Sequence, residues 1–488
     1  MTLRVIVDDG GPLPDRLREL VGVDRFGQLI FKRRTLATIL EQASVAAGLD
    51  APSVFRRSAD WSEMIRKARD EGWSGDRYLV CPANIIFSRD HDSLVMFLKQ
   101  ARYSPQNLVL PVNGGGESSG WILMTAPMFN LYVRARTGGD VDNFFEQNRN
   151  QFVRLDERMD LIDLSDEATL LEFLSGTFEA RSFNAVESEA YWITKKSSDK
   201  GKLEREYRYY EMLPPAMQAY FIRPFDFVDH GETASYRMER LFVPDMAVQW
   251  IHGALTEADF RRFLDHIFDF VSNRAERPSR NGEAQAAIEA LFVTKVRERS
   301  EAMKQTAEYT QLKLLIEHAC ESLDALVERY LHLFERIRRK FPVDAVAIGH
   351  GDLCFSNILY AKTSQTLKLI DPRGAADESD LWTHPYYDVA KLSHSIQGSY
   401  DFVNQGMFEV RIDTDLRPRL VIDRTPPHWA SPMFVGKLQE TGFVPDLVRF
   451  CEASLFISML PLHADRPRKV LGFILVAMGI LDELEGKL

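Results

Sequence analysis

An α/β domain followed by an α+β region is the fold class that this sequence predicts, from two changes in its hydrophobic pattern. Residues 1–165 alternate short apolar runs with helical stretches, which is typical of α/β units. Residues 166–245 are richer in strand-like runs and contain one helical segment. Residues 246–488 are dominated by apolar residues at helical spacing. We therefore expect three parts with these boundaries.

The first part is predicted to alternate strands and helices. Its apolar runs and helical stretches are Arg4–Val7, Leu36–Ala47, Tyr78–Phe87, Ser93–Ala101 and Leu108–Val112. A glycine-rich segment, Asn113–Gly120, precedes the strand-like Trp121–Thr125. Because a phosphate-binding loop is followed by a helix N-terminus instead, we interpret the segment as a loop between strands.

The second part is predicted to be a strand, a helix and a further strand. Ala185–Thr194 is strand-like, Lys202–Leu213 has helical spacing, and Ala234–Phe242 is strand-like again. Pro214 and Pro215 follow the helical segment and mark its end, because proline cannot continue a helix.

The third part is predicted to be mostly helical. Thr256–Asp259 is a capping-box sequence that opens an amphipathic helix, and a longer helical region covers about 284–340. The longest apolar run, Val470–Leu481, is well short of the ~20 residues that a membrane-spanning helix needs. It is interpreted as a buried terminal helix, and no membrane insertion is expected.

Composition excludes several classes of partner. The 488 residues include 60 Lys and Arg against 71 Asp and Glu, a net charge of −11, which disfavours nucleic acid and anionic lipid. The four cysteines, at positions 81, 320, 354 and 451, form no C-x-x-C pair, which argues against zinc ribbons and disulfide frameworks. With no apolar signal segment at the N-terminus, we expect a cytoplasmic protein.

The most informative segment is Ala347–Leu359, followed by Leu367–Gly374. It places His350, Asp352 and Asn357 in an H-x-D-x-x-x-x-N frame, and Asp371 follows at the end of an apolar run. The intervening runs, residues 358–360 and 367–370, are predicted to form a hairpin. A hairpin would bring Asn357 and Asp371 together at its base.

Phosphoryl transfer requires these residue types. One carboxylate must orient the attacking hydroxyl and accept its proton, and Asp352 can do this. An amide oxygen and a second carboxylate must hold Mg²⁺ on the phosphates, and Asn357 and Asp371 can do that. Taken singly, such residues are more often loop caps and turns, but their joint spacing favours a phosphotransferase. Cys354, inside the frame, is interpreted as a packed thiol.

The segment resembles the catalytic core of the aminoglycoside phosphotransferase and choline kinase superfamily, which has a protein-kinase-like fold. The resemblance covers about residues 170–480 and is strongest at 347–392. It implies a two-lobed kinase-like domain, with residues 166–245 as the N-lobe and 246–488 as the mostly helical C-lobe. It also implies ATP and Mg²⁺ as cofactors, with His350 organising the catalytic loop.

The same resemblance implies a phosphate-binding lysine on a strand, paired with a glutamate on the next helix. Lys195 is preferred, and Lys196 is the alternative, because neighbouring side chains in a strand face opposite ways. Glu206 is preferred over Glu204 because the sequence around Glu206 is similar to that of the corresponding helix in the family.

Further nucleotide contacts are implied at two places. Met238–Leu241, which includes Glu239, occupies the position of the hinge whose backbone binds adenine. Phe183 and Asn184 occupy the phosphate-loop position, but without the G-x-G-x-x-G of protein kinases.

Two residues near the motif have expected supporting roles. Asp388, in a segment that resembles the helix after the metal-binding loop, is expected to brace the catalytic loop. Arg373 is expected to contact phosphate or an anionic substrate, or else to form a salt bridge with Asp377 or Glu378.

The N-terminal part is faintly similar to the nucleotide-sugar pyrophosphorylase fold. Such enzymes carry a glycine-rich turn after their first strand. Here Val5–Pro12 offers Asp8, Asp9 and a proline instead, which removes most of the backbone N–H groups that a phosphate would need. The expectation is a degenerate or regulatory domain.

The resulting hypothesis is a kinase that transfers the ATP γ-phosphoryl group to a hydroxyl of a small metabolite. The acceptor would be a sugar, amino sugar or amino alcohol, for example in surface-polysaccharide assembly. The alternatives are a non-catalytic nucleotide-binding scaffold and a bifunctional kinase and nucleotidyltransferase.

The acceptor and the oligomeric state are left open. A choline-like cation would require an aromatic cage, and Trp382, Tyr386 and Tyr387 lie near the metal loop. An aminoglycoside would require an acidic cleft, which the three acids at positions 377, 378 and 380 can partly supply.

Overall fold

The computed structural model of this chain describes residues 2–31, 34–87, 91–112, 120–155, 160–174, 184–188, 191–319, 321–414 and 417–487. They divide into two compact units, residues 1–176 and 177–488. The first unit extends beyond residue 165, the boundary drawn from the sequence, by one helix, Glu167–Leu174.

The first unit is a mixed α/β structure around a six-stranded sheet. The strands of the whole unit are β1 (Leu3–Asp8), β2 (Ile30–Phe31), β3 (Arg34–Thr35), β4 (Ser53–Phe55), β5 (Arg77–Pro82), β6 (Ile85–Phe87), β7 (Asn107–Pro111), β8 (Gly120–Thr125), β9 (Phe152–Arg154) and β10 (Leu161–Asp163). Its helices are α1 (Asp15–Val21), α2 (Leu36–Ala46), α3 (Ser58–Asp70), α4 (His91–Ala101), α5 (Ala126–Gly138), α6 (Val141–Asn148) and α7 (Glu167–Leu174).

The sheet has the strand order β4-β1-β5-β8-β7-β9. Strand β1 is parallel to β4 and β5, while β8 is antiparallel to both β5 and β7. Val5, Ile6 and Val7 of β1 are buried, as expected for a strand covered on both faces. The predicted α/β class of this part is confirmed, with Asp8 as the last residue of β1 and Asp9 directly after it.

The second unit begins with an antiparallel four-stranded sheet in the order β11-β12-β14-β13. Its elements are β11 (Asn184–Ser188), β12 (Trp192–Ser197), α8 (Lys200–Met212), α9 (Pro215–Gln218), β13 (Pro224–Asp229) and β14 (Ala234–Glu239). The run 185–194, predicted as one strand, belongs to two antiparallel strands instead. That prediction was wrong because the run contains no Gly, Pro, Asn or Asp to indicate a turn.

Most of the remaining second unit is helical. The helices are α10 (Met246–His252), α11 (Glu257–Ser272), α12 (Glu283–Glu289), α13 (Lys295–Lys304), α14 (Tyr309–Ala319), α15 (Leu323–Ile337), α16 (Tyr386–Ile396), α17 (Tyr400–Gln405), α18 (Ala430–Glu440), α19 (Pro445–Ser458) and α20 (Pro467–Glu485). The strands are β15 (Glu276–Pro278), β16 (Ala345–Ile348), β17 (Ile358–Ala361), β18 (Thr366–Leu369), β19 (Trp382–Thr383), β20 (Phe408–Ile412) and β21 (Pro418–Ile422).

Two local predictions for the helical part are confirmed. Thr256 and Asp259 form the expected reciprocal capping box, and α11 buries seven residues along one face. Helix α20 contains the apolar run 470–481 and is largely buried. Within the described ranges, no helix is long and apolar enough to cross a membrane.

Candidate active site

The H-x-D-x-x-x-x-N frame forms a loop between strand β16 and a two-stranded hairpin. Strands β17 and β18 pair with Ile358 opposite Leu369, and the Ile370 N–H donates to the Asn357 carbonyl at 3.1 Å. The predicted hairpin is therefore present. Asn357 lies at its base, next to the residue that precedes Asp371.

Lys195 lies on β12 at the centre of a buried ion-pair cluster. Its Nζ donates to Glu206 Oε2 at 2.6 Å and to Asp371 Oδ1 at 2.9 Å. Although burial opposes protonation, the carboxylates of Asp371 and Glu206 raise the pKa of Lys195. This lysine therefore stays charged and links β12, α8 and the end of β18.

Lys196 is not part of this cluster. Successive side chains of a strand point to opposite faces, and only Lys195 faces α8. Lys196 is half-buried and forms no ion pair with any described residue. Glu204 pairs with Arg208 on the outer face of α8. Of the alternatives left open by the sequence, the structure thus joins Lys195 with Glu206.

Asp371 follows β18 by two residues and has an unusual backbone conformation. Its φ of +54° lies in the left-handed region, which Asp tolerates better than most residues but which still costs about 1 kcal/mol. The next turn brings the chain onto α8, where the Ala375 N–H donates to the Arg205 carbonyl at 3.1 Å. Gly374 is required there, because a Cβ would lie 2.8 Å from the backbone of Arg205 and Glu206. The Asp-Pro-Arg-Gly turn therefore fixes Asp371 relative to Glu206.

The His350 ring links the loop after β16 to Ile370, the residue that follows β18. Its Nε2 donates to the Ile370 carbonyl at 3.0 Å, and its Nδ1 accepts the Asp352 N–H at 3.2 Å. This pattern requires the neutral ring protonated at Nε2. Burial lowers the pKa of His350, which agrees with a neutral ring.

Asp352 is partly accessible, with 44% of its side chain exposed. Oδ1 accepts from Lys391 Nζ at 2.8 Å, and Oδ2 accepts from Asn357 Nδ2 at 3.3 Å. Burial alone would raise the pKa of Asp352, but the ammonium of Lys391 holds it below its usual value. The carboxylate is therefore ionised and fixed in orientation.

Asp388, on α16, braces the loop from beneath, as the sequence suggested. Its two oxygens accept the N–H groups of His350 and Gly351, both at 2.8 Å. Arg274 Nη1 donates to the same carboxylate at 3.0 Å, and both side chains are almost fully buried. Because each partner is satisfied, this ion pair holds the loop backbone in one conformation.

Sequence reasoning missed two lysines near Asp352. Lys391 lies one turn after Asp388 on α16, so consecutive turns of this helix contact consecutive parts of the loop. That spacing was a usable signal. Lys295, on α13, donates to Tyr387 Oη at 2.7 Å. Nothing in its local sequence indicates this contact.

Arg373 and Cys354 lie within the same loop region. Arg373 forms no ion pair with Asp377 or Glu378, so the salt bridge considered as an alternative is not present. Its side chain packs over Gly351, where an added Cβ would come within 2.6 Å of Arg373 Cβ. Cys354 is buried, and burial raises the pKa of its thiol to about 12. It is a packed thiol, as expected.

The implied adenine-binding segment joins β14 to α10. Glu239 is the last residue of β14 and is exposed, pairing through its backbone with Trp192. The Leu241 backbone makes no hydrogen bond to any residue that the structure describes. Its N–H and C=O remain available to a ligand. Asn184 lies in β11, and its side chain falls outside the described part of the chain.

The aromatic residues that suggested a choline cage do not form one. Tyr386 is buried against Phe443. Two other rings already have cations of the chain over them: Arg277 is 4.5 Å from the Trp382 centroid, and Lys295 is 5.0 Å from that of Tyr387. The described contacts of these three side chains are therefore with other residues of the chain, as expected for packed rings.

In the first unit, the acids after β1 are taken up by arginines. Arg136 donates to both oxygens of Asp8, at 3.0 and 3.3 Å. Asp9 is buried, accepts the Gly27 N–H at 3.1 Å and lies 3.6 Å from Arg56 Nε. The glycine-rich positions 113–119 lie outside the described residues, and Gly120 begins β8. Each of these two carboxylates thus lies within ion-pair distance of an arginine.

The donor set of the second unit fits Mg²⁺. Asn357 donates through Nδ2, which leaves Oδ1 as a free acceptor, and Asp371 uses only Oδ1 for Lys195. Oxygen atoms of one amide and one carboxylate are the protein ligands expected beside nucleotide phosphates, with phosphate and water completing the coordination. Among the described residues, no cluster of three or more His, Cys, Asp or Glu is arranged to hold a metal.

No protein-family model and no curated protein matches this sequence. Among solved structures, the chain is similar to a thermostable variant of aminoglycoside phosphotransferase APH(4)-Ia in its apo form. The TM-score is 0.35 and the sequence identity is 10%, and the matched region covers 62% of this chain and 94% of the other. A ternary complex of such a variant with AMP-PNP and hygromycin B gives a TM-score of 0.37 and 12% identity, covering 64% and 98%.

A third similar structure is a putative glucose-1-phosphate thymidylyltransferase from Bacillus anthracis in complex with sucrose, with a TM-score of 0.23 and 12% identity, covering 35% of this chain and 92% of that one. Aminoglycoside phosphotransferases, which the motif resembles, are thus among the structural neighbours.

Proposed function

We propose that the second unit is a small-molecule kinase that transfers the γ-phosphoryl group of ATP to a hydroxyl of a small metabolite. One observation carries the proposal. A continuous chain of polar contacts links Glu206 and Lys195 to Asp371, and the hairpin base links Asp371 to Asn357 and Asp352. These are the groups that phosphoryl transfer requires, on elements ordered as in a two-lobed kinase-like domain.

Asp352 is proposed to orient the acceptor hydroxyl and to take its proton. It is ionised and partly exposed, and both its oxygens are held by hydrogen bonds. His350 acts through the loop, because its two nitrogens are used for contacts with residues 352 and 370. It is therefore a positioning residue.

Asn357 and Asp371 are proposed to hold Mg²⁺ through Asn357 Oδ1 and Asp371 Oδ2. When bound, the ion neutralises charge on the phosphates. Asp371 is 42% exposed and already fixed by Lys195, so its second oxygen can face a nucleotide. Lys195, steadied by Glu206, is proposed to bind the α- and β-phosphates.

The base of the nucleotide is proposed to bind along residues 239–241. The free backbone groups of Leu241 support this assignment. The acceptor is proposed to be sugar-like, as in surface-polysaccharide assembly, because the aromatic residues near the loop offer no cage for a choline-like cation. The buried free thiols of Cys81, Cys354 and Cys451 agree with a reducing, cytoplasmic location.

Product analysis tests the proposal. The whole chain is incubated with ATP, Mg²⁺ and a panel of sugars, sugar acids, amino sugars, choline and polyols, and the products are separated by mass. Release of ADP with a phosphorylated acceptor supports the kinase. Release of pyrophosphate indicates a nucleotidyltransferase in the first unit, and nucleotide binding without any product indicates a scaffold. Either of the last two results alone would contradict the proposal.

A further inference from the structure

The proposed mechanism leaves positive charge beside Asp352 unused. Asn357 contacts one oxygen of this carboxylate, and Lys391 of α16 contacts the other. Lys391 and Asp352 neutralise each other. The same face of α16 presents Tyr387, one turn before Lys391, and Lys295 of α13 donates to its hydroxyl at 2.7 Å.

Lys295 is a cation without a carboxylate partner. It is half-buried, and no acid among the described residues lies within ion-pair distance of its Nζ. Glu298, one turn further along α13, is exposed and forms no ion pair with it. The group formed by Asp352, Lys391 and Lys295 therefore carries a net charge of about +1, and a half-buried charge without a counter-ion favours binding an anion.

A second cation without an ion pair among the described residues lies in the turn after β18. Arg373 is exposed, packs over Gly351, and makes no ion pair with a residue of the described part of the chain. Asp377 accepts the Ser379 N–H and Asp380 accepts the Ala376 N–H, and neither carboxylate forms an ion pair with Arg373. Both carboxylates therefore serve to hold their own loop.

Tyr387 supports the same conclusion. Burial would raise the pKa of its hydroxyl, yet the ammonium groups of Lys391 and Lys295 lower it overall. Two ammonium groups and one carboxylate thus lie at this face of α16, which disfavours a cationic acceptor.

We infer that the acceptor of the proposed kinase carries an anionic group, a phosphate or a carboxylate, which Lys295 binds on the α16 side of Asp352. This inference rests on the proposed function and names the substrate class of that site. The acceptor hydroxyl oxygen forms the new bond to the γ-phosphorus, and the bond from that phosphorus to the β,γ-bridging oxygen breaks. ADP leaves with the bridging oxygen, and the hydroxyl proton passes to Asp352 and then to solvent.

Matched acceptors test the inference. Steady-state ADP release is measured with two series of acceptors, each with a neutral, a carboxylate, a phosphate and a cationic member. The first series is glycerol, D-glycerate, glycerol 3-phosphate and serinol. The second series is glucose, gluconate, glucose 6-phosphate and glucosamine. We expect an anionic member to exceed its neutral relative in kcat/KM by about tenfold or more, the usual effect of one charge-assisted hydrogen bond. The carboxylate and phosphate arms show which anion is preferred.

Variants assign the effect to Lys295. Lys295→Met should raise KM for the anionic acceptor by about 10- to 100-fold, change kcat little and leave neutral acceptors unaffected. Lys295→Arg should restore most of the preference. Arg297→Met, which removes an exposed positive charge from the same helix, should behave as wild type.

Three results would overturn the inference. One is equal turnover of neutral, cationic and anionic relatives. Another is a fall in kcat for all acceptors in Lys295→Met, which would mean that Lys295 acts on the transferred phosphoryl group. The third result arises if no acceptor yields ADP. The proposed function then fails, and binding of inorganic phosphate tests whether the anion site exists. Loss of that binding in Lys295→Met but not in Arg297→Met supports the site, and absence of binding to wild type overturns it.

Discussion

Both units bring carboxylates to the end of a strand, but they use them differently. Asp8 at the end of β1 has both oxygens taken by the guanidinium of Arg136. Asp371 at the end of β18 gives one oxygen to the ammonium of Lys195 and keeps the other free. The two positions look alike in sequence, since each is an acid that follows an apolar run.

The identity of the cation explains the difference. A guanidinium has a planar fork that matches both oxygens of a carboxylate, whereas an ammonium is a point charge that binds one oxygen at a time. Lys195 therefore fixes Asp371 and still leaves it able to bind a metal. Arginine partners make the β1 acids of the first unit structural.

Replacing one acid in each unit should show the largest contrast. Asp352→Asn removes the proposed proton acceptor, and we expect kcat to fall by about 10³-fold with little change in KM for ATP. Asp8→Asn should leave turnover within about twofold, because its oxygens serve only Arg136 and a turn. ADP release at saturating ATP measures both. Wild-type turnover in Asp352→Asn would contradict the role of Asp352.

The next contrast is between a buried and an exposed cation. Lys195→Met removes the closest cation from the buried Glu206, which keeps only the more distant Lys202 at 3.7 Å among the described cations, and we expect a loss of about 3–5 kcal/mol in stability of the second unit as well as weaker ATP binding. Arg66→Met, in the first unit, breaks only exposed pairs and should cost about 0.5 kcal/mol or less. Hydrogen exchange of α8 and α3 amides measures each unit separately. Equal losses would show that burial of the pair is not important.

Titration of Asp401 should make the stability of the second unit depend on pH. Burial raises the pKa of Asp401 to about 7, against 3.8 for an exposed aspartate, so between these values the folded state holds a proton that the unfolded state has released. The contribution of Asp401 to wild-type stability should therefore fall by about 1.4 kcal/mol per pH unit as pH rises from about 4 to 7, and then level off. Asp401→Asn removes this contribution.

The variant and wild type should be similar near pH 4 and differ most above pH 7, where Asp401→Asn is the more stable. Urea unfolding followed by hydrogen exchange of α17 at several pH values measures the difference. Asp70→Asn, an exposed position on α3 of the first unit, should show no such trend. A difference that does not change with pH would contradict the role of Asp401 titration.

The sequence predicted the parts of the site that depend on local spacing. Asn357 and Asp371 are joined by a hairpin whose two strands are visible as apolar runs, so their proximity follows from residues 358–370 alone. The choice between Lys195 and Lys196 depends on which face of β12 meets α8, and local sequence does not contain that information.

Contacts between distant helices were not predictable in this way. Lys295 reaches Tyr387 only because α13 packs near α16, and 92 residues separate them in the chain. The split of run 185–194 into two strands was missed for a different reason, since no turn-forming residue marks it. Tertiary packing decided the first case, and weak turn chemistry hid the second.

The smallest contrast concerns two glycines with positive φ. Gly374 in the second unit and Gly48 in the first have φ values of +84° and +73°, so alanine at either position costs about 1 kcal/mol of backbone strain. An added Cβ at Gly48 meets nothing within 4 Å, but at Gly374 it would lie 2.8 Å from the α8 backbone. Gly374→Ala should therefore cost about 1–2 kcal/mol more than Gly48→Ala.

Because Gly374 holds Asp371 relative to Glu206, its variant should also raise KM for ATP, while Gly48→Ala should not. Hydrogen exchange and steady-state kinetics measure the two effects, and unchanged kinetics in Gly374→Ala would show that the turn does not position Asp371.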